Sequence, residues 1–185
     1  MKKITRKITI ALLIVFILTI FLYKPVMKMY YPLKHEVLIE NISSKYNVDK
    51  YLVMGVISAE SRFDINAKSH KGAKGLMQLT DSTAMWCNNN FNLNYKNIDL
   101  FSAETNIEIG CIYLEYLIDT YESIETALAA YNAGPGNVNK WLKNENYSKD
   151  GKTLDVIPYG ETKDYVEKVT KRRNSYFELY GNKKS

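Results

Sequence analysis

Sixteen consecutive residues, ITIALLIVFILTIFLY from Ile8 to Tyr23, carry no charge and interrupt their apolar character with only two threonines. A run of this kind finds no place on a water-exposed surface, so it restricts the chain more than any other feature. As a helix it spans about 24 Å at roughly 1.5 Å per residue, slightly short of a hydrocarbon core near 30 Å. Val26 and Met27, with snorkelling by Lys24, extend the apolar length. A removed signal peptide is the alternative, because Lys2, Lys3, Arg6 and Lys7 form a basic leader. Yet the run ends in Phe21, Leu22 and Tyr23 with no small-x-small cleavage pattern, and no cysteine follows it for lipid attachment. The expectation is a basic segment at 1–7, a transmembrane signal anchor at 8–23, a stalk at 24–34 containing two prolines, and one catalytic domain at 35–185. Lys24, Lys28 and Lys34 oppose the leading basic residues, so the positive-inside rule gives only a small bias toward an internal N-terminus. The expected location is a single-pass cell-membrane protein with its domain on the extracytoplasmic side.

The net charge of +5 suggests a nucleic-acid binder until its distribution is counted. Four of the 25 Lys and Arg precede Ile8, leaving 21 against 20 acidic residues in the rest of the chain. A near-neutral domain lacks the electrostatic footprint that nucleic acid demands, so no nucleic acid is expected as a partner. Two cysteines, Cys87 and Cys111, are too few for a disulfide framework; they either pair or lie apart as buried thiols. Two histidines and the absence of HExxH or CxxC spacing argue against a metal, and no cofactor is expected.

Beyond the stalk the pattern is helical. Val37, Leu38, Ile42 and Tyr46 mark a first amphipathic helix, and Asp49 caps a second carrying Leu52 to Phe63. NAKSHKGAKG reads as a loop, and a short helix begins at Thr80 or Asp81, with Asp81 as its cap. NNNFNLNYKN (88–97) reads as a loop. A long helix extends from Ser102 to Tyr121, with Ile107, Cys111, Leu114, Leu117 and Ile118 on its stripe. Ser123 caps IETALAAYN, which stops at AGPG. After Trp141 comes a polar stretch, and a last helix begins after Pro158 with Tyr165, Val169, Tyr176 and Tyr180 on one side. No strand pattern stands out, so the fold class is mainly α.

Within GVISAESRFD (55–64), Glu60 stands four residues after Val56 and three after Ile57, sharing their apolar stripe. Desolvation there raises a carboxyl's pKa, which suits an acid that protonates a leaving group. A helix-end glutamate facing solvent, or paired with Arg62 or Lys68, fits the same spacing. Asp64 comes four residues later; its position on the same helix does not let it straddle a bond, and ending the helix is its expected role.

Three further islands accompany Glu60-Ser61: GLMQ (75–78), AYNAG (130–134) and ETKDYV (161–166). In this order, with NAKSHKGAKGLMQLTDSTA and NIEIGCIYLEYL between them, the chain resembles the catalytic domain of the soluble lytic transglycosylase family over roughly residues 36–180. That family has a lysozyme-like fold and cleaves peptidoglycan. The resemblance implies one carboxyl, Glu60, acting first as acid and then as base. The substrate's own N-acetyl group stabilises the cation-like centre, and the muramic 6-hydroxyl attacks it to leave a 1,6-anhydro end. It implies substrate contacts from Ser69, Met77, Gln78, Tyr131, Asn132 and Tyr165, with Tyr131 orienting the glutamate and Tyr165 closing the cleft. Ser69 also reads as a loop-turn serine, Met77 as ordinary packing, and Glu161 as a helix-start residue favoured by the dipole. Asp81 departs from the family, which often has proline there, and the asparagine-rich loop is a second departure. The implied partners are peptidoglycan glycan strands, the membrane through 8–23, and a secretion, conjugation or cell-wall machine. A water-using muramidase and a non-catalytic wall-binding protein of the same fold are the competing readings.

Overall fold

The computed structural model describes residues 2–181. Met1, at the head of the basic segment, and residues 182–185, at the end of the expected catalytic domain, lie outside the described residues. Eight helices occur among them: α1 Lys2–Tyr30, α2 Glu36–Lys45, α3 Lys50–Glu60, α4 Asp81–Asn90, α5 Ala103–Tyr121, α6 Ile124–Ala133, α7 Pro135–Leu142 and α8 Gly160–Tyr180. The described residues contain no strand, only isolated bridges of Lys74 with Lys68 and with Leu79.

In α1 the stretch Leu12–Tyr30 is long and apolar enough to cross a membrane, and none of it is buried inside the protein. The helix runs on through Pro25, so residues 24–30 of the expected stalk are helical. Pro25 lacks the N–H that would bond the Phe21 carbonyl, one bond lost in an otherwise continuous helix. Beyond it, Tyr180 Oη donates to the Tyr31 carbonyl at 2.7 Å and the Tyr31 and Tyr176 rings meet edge to face at 5.4 Å.

Asp49 caps α3 as its sequence position predicts, accepting from the Tyr51 N–H at 2.9 Å, and it also pairs with Arg173 Nε at 2.6 Å. Every residue from Leu52 to Ser58 is buried. Gly55 makes this possible: a Cβ there would stand 3.0 Å from both the Val169 carbonyl and the Arg173 nitrogen of α8. The two helices therefore cross with their backbones nearly touching. The helix ends at Glu60, three residues before the expected Phe63, because Arg62 and Phe63 take left-handed φ values of 53° and 63°. Phe63 turns back into the core, while Asp64 stays exposed and caps a turn by accepting from the Asn66 N–H.

The cap of α4 is Thr80, which accepts from the Thr83 N–H at 3.1 Å. Asp81, expected in that role, instead pairs with Lys74 at 2.7 Å. Residues 88–90, expected as loop, form the last turn of α4. Asn88 then organises the loop beyond that turn, since its side chain bonds both the N–H and the carbonyl of Tyr95. The sequence expectation ends a helix at AGPG and contains no α7, although Pro135 at the first helical position is a start signal in its own right. Gly134, at φ 86°, makes the sharp corner between α6 and α7.

Glu108 on α5 ties three segments together. It accepts from Lys45 Nζ and Tyr46 Oη at 2.7 Å each and from Tyr95 Oη. Burial alone would raise its pKa, but the bonds from Lys45, Tyr95 and Tyr46 override this and hold the carboxyl below its usual range. A carboxyl with a depressed folded pKa contributes stability above its unfolded value and loses it as pH falls through the folded one. Lys45 is well exposed, so solvent screens its share of the effect on stability. We expect Glu108→Gln to cost about 1–2 kcal/mol at pH 7 and less at pH 3, read from urea denaturation at the two pH values.

Candidate active site

Val53, Val56 and Ile57 are fully buried, and they lead the last turn of α3 to Glu60, whose side chain is partly exposed. Burial pushes the Glu60 carboxyl up from 4.5 to about 7. The Tyr165 hydroxyl and the Lys168 ammonium act in the opposite direction without cancelling it. Lys168 is held nearby on α8 by donating to the Ala59 carbonyl at 3.1 Å. The Tyr165 ring is buried, and Glu60 is the group its hydroxyl acts on, although the two do not meet at full hydrogen-bond geometry.

The GLMQ segment faces this carboxyl because Asn106 of α5 anchors it. Asn106 is wholly buried. Its Oδ1 accepts from the Met77 N–H at 2.8 Å, and its Nδ2 donates to the Leu100 and Lys74 carbonyls at 2.8 and 3.0 Å. Gly75 is required at this contact: φ is 72°, and a Cβ would lie 2.1 Å from the Leu100 oxygen. Gln78 itself holds a left-handed φ of 49°. Its Nε2 donates to the Ala67 and Gly75 carbonyls, which leaves Oε1 as the end free to meet a ligand. Ser69 Oγ accepts from the Ala73 N–H at 3.0 Å and so shapes the loop while also lining the groove.

Met77 is not on the groove. Its side chain is fully buried, with its sulfur filling the space where Gly110 lacks a Cβ, so the packing role applies and the expected substrate contact does not. Tyr131 departs from expectation in a subtler way. Its hydroxyl donates to the Met77 carbonyl at 2.9 Å rather than to Glu60, pinning the motif loop to α6. Next to it, the Asn132 Oδ1 accepts from the buried Thr162 hydroxyl at 2.8 Å, leaving its NH₂ for a ligand.

Glu60, Ser69, Gln78, Tyr131 and Asn132 line a single groove of about 460 Å³. Tyr165 lies behind Glu60 rather than in the lining. Glu161, expected as a helix-start residue, also lines the groove, as do Lys71 and Tyr113. Tyr113 lies within the NIEIGCIYLEYL stretch of the family resemblance but is not singled out there as a site residue. Cys87 and Cys111 are separate, buried thiols that burial pushes up to about 12, too weakly acidic to serve as nucleophiles at neutral pH. The arrangement offers one proton donor near neutrality, an amide oxygen and an amide NH₂ around one cleft. These suit proton donation to a leaving oxygen whose neighbours both donate and accept hydrogen bonds.

Residues 37–154 match the family model described as Transglycosylase SLT domain. The soluble lytic murein transglycosylase of Salmonella typhimurium is 33% identical over 159 residues, covering 84% of this chain and 25% of that protein. A membrane-bound lytic murein transglycosylase F from Desulfosudis oleivorans is 31% identical, over 80% of this chain and 36% of its own length. Among solved structures, the 70 kDa soluble lytic transglycosylase of Escherichia coli superposes with a TM-score of 0.75 at 30% identity, covering 85% of this chain and 26% of that one. The chain thus spans about a quarter to a third of the length of these relatives.

Proposed function

This chain belongs to the transglycosylase SLT domain family, and from that membership we propose that it is a membrane-anchored peptidoglycan lytic transglycosylase. In this reading residues 8–23 form the anchor, 24–34 link it to the domain, and 35–185 cut the glycan on the extracytoplasmic side. The observation that carries the proposal is the Glu60 carboxyl, raised to about 7 by burial at the wall of a groove.

Glu60 donates its proton to the oxygen leaving between MurNAc and GlcNAc. The Gln78 oxygen accepts an acetamido N–H, and the Asn132 NH₂ and the Ser69 hydroxyl hold the sugar beside it. The substrate's N-acetyl group stabilises the cation-like centre. The ionised Glu60 then takes the proton of the muramic 6-hydroxyl as that oxygen closes the 1,6-anhydro ring. Tyr165 has a hydroxyl without a protein partner beside the carboxyl, which stabilises its ionised form during this second step. Tyr131 acts through the loop it pins. Mass spectrometry of fragments released from purified wall tests the reaction: 1,6-anhydro ends are expected, and reducing ends alone would refute it.

A water-using muramidase needs a second carboxylate across the bond. Glu161 is the other carboxylate on this groove, so the rival reading places it there; Asp64 is exposed and does not line the groove. Reducing ends lost in Glu161→Gln would support the rival.

Because the proton donor must be protonated, kcat/KM is expected to fall as pH rises through about 7. Tyr165→Phe removes a group that lowers the Glu60 pKa, so its alkaline limb is expected to move to higher pH while kcat falls about tenfold. A profile of unchanged midpoint would assign Tyr165 to packing.

A further inference from the structure

A second cavity of about 340 Å³ adjoins the groove, and the two share Thr83, Tyr113 and Pro135 in their linings. Its wall is aromatic. Trp86 of α4 meets Tyr116 of α5 at 4.8 Å between ring centroids, and Tyr113 and Phe91 edge to face at 6.1 and 5.7 Å. The rings thus brace one another, with Phe91 against Trp86, so the surface is already assembled. Trp86, Tyr113 and Tyr116 are each partly exposed. The indole N–H and both phenol hydroxyls have no hydrogen-bond partner among the described residues, although each is a strong polar group at the rim of an apolar wall. Tyr113 belongs to both cavities and packs at 5.5 Å against Tyr131, so the aromatic wall continues into the Glu60 groove without a break.

A pyranose has the complementary surface: a face of C–H groups ringed by hydroxyls. Rigid aromatics with free donors at their edges suit that shape. We propose that the Trp86–Tyr113–Tyr116 pocket is a distal subsite that seats one more sugar of the glycan strand lying in the groove. This rests on reading the chain as a glycan-cutting enzyme, and it adds which residues grip the strand away from the scissile bond. The occupant is the sugar and not the stem peptide, because the wall presents ring faces and neutral donors, and none of its lining residues is charged.

The chain has two tryptophans, Trp86 and the buried Trp141. Full-length Trp141→Phe in detergent micelles therefore reports Trp86 alone. Chitotetraose, which has no peptide, is expected to shift that emission saturably, and single N-acetylglucosamine much more weakly. In wall digestion, Trp86→Ala is expected to raise KM about tenfold with kcat within twofold, the signature of lost uniform binding, and Trp86→Phe to recover most of it. The proposal is overturned if chitotetraose leaves the emission unchanged, or if only peptide-bearing fragments shift it. Wild-type kcat/KM in a folded Trp86→Ala would also overturn it. Should Trp86→Ala fail to fold, the emission titration decides alone. If wild type cuts no wall glycan while chitotetraose still binds, the enzymatic reading falls and the sugar site stands.

Discussion

Glu60→Gln is expected to lower wall cleavage roughly a thousandfold or more, because the single proton donor and acceptor of the reaction is removed. Loss of activity could also come from misfolding, but here the stability change has the opposite sign. Glu60 has a folded pKa of about 7, above its ordinary 4.5, because burial disfavours the ionised form. Below about pH 4 the carboxyl is neutral in both states and resembles glutamine. As pH rises from 4.5 through 7 the folded protein must either keep the proton or bury a charge, and stability is lost. Glu60→Gln escapes that loss. The variant is therefore expected to be inactive yet more stable than wild type at pH 8, by roughly 1–3 kcal/mol, and equal to it at pH 4. Denaturant melts at the two pH values, beside wall digestion, check both halves. An inactive variant that is less stable at pH 8 would point to a structural role.

Asn106→Ala is the most damaging change expected away from the carboxyl. The substitution leaves the Met77 N–H and the Leu100 carbonyl buried without partners, and strips the Lys74 carbonyl of one of its two. Buried groups left unpaired cost about 1–3 kcal/mol each, so a total near 3–5 kcal/mol is expected, a large share of what a domain commonly has. Because the lost bonds hold the GLMQ segment, cleavage should fall in the molecules that remain folded. A change below about 1 kcal/mol in urea unfolding would mean that the loop is held by its other contacts, chiefly Tyr131 and the Lys74 bridges.

Asn106 also marks the limit of what sequence could tell. The helices other than α7, the Asp49 and Ser123 caps and the mainly α class came from local rules, since hydrophobic period and capping chemistry operate within one element. The stripe that carries Glu60 was legible for the same reason, while its choice as the acid came from the resemblance of the four islands. The roles of Met77 and Tyr131 were not legible, because each depends on a partner from another part of the chain, and the role of Asp81 was decided between close neighbours. Met77 lies inward only because Gly110, 33 residues on, leaves room for its sulfur. Tyr131 bonds a carbonyl 54 residues away. Asp81 was available to cap, but Thr80 stands one residue earlier and Lys74 offered an ion pair. The early end of α3 came from two left-handed residues, Arg62 and Phe63, whose types give no such signal. The aromatic pocket needed α4 and α5 brought side by side before Trp86 and Tyr116 could be read together.

The account depends on the Glu60 carboxyl being held neutral near pH 7. Its titration can be followed directly by NMR of protein labelled with ¹³C at glutamate side-chain carboxyls, with Glu60→Gln identifying the signal. A midpoint near 7 is the result expected. A midpoint at or below the ordinary 4.5 would contradict the proposed chemistry.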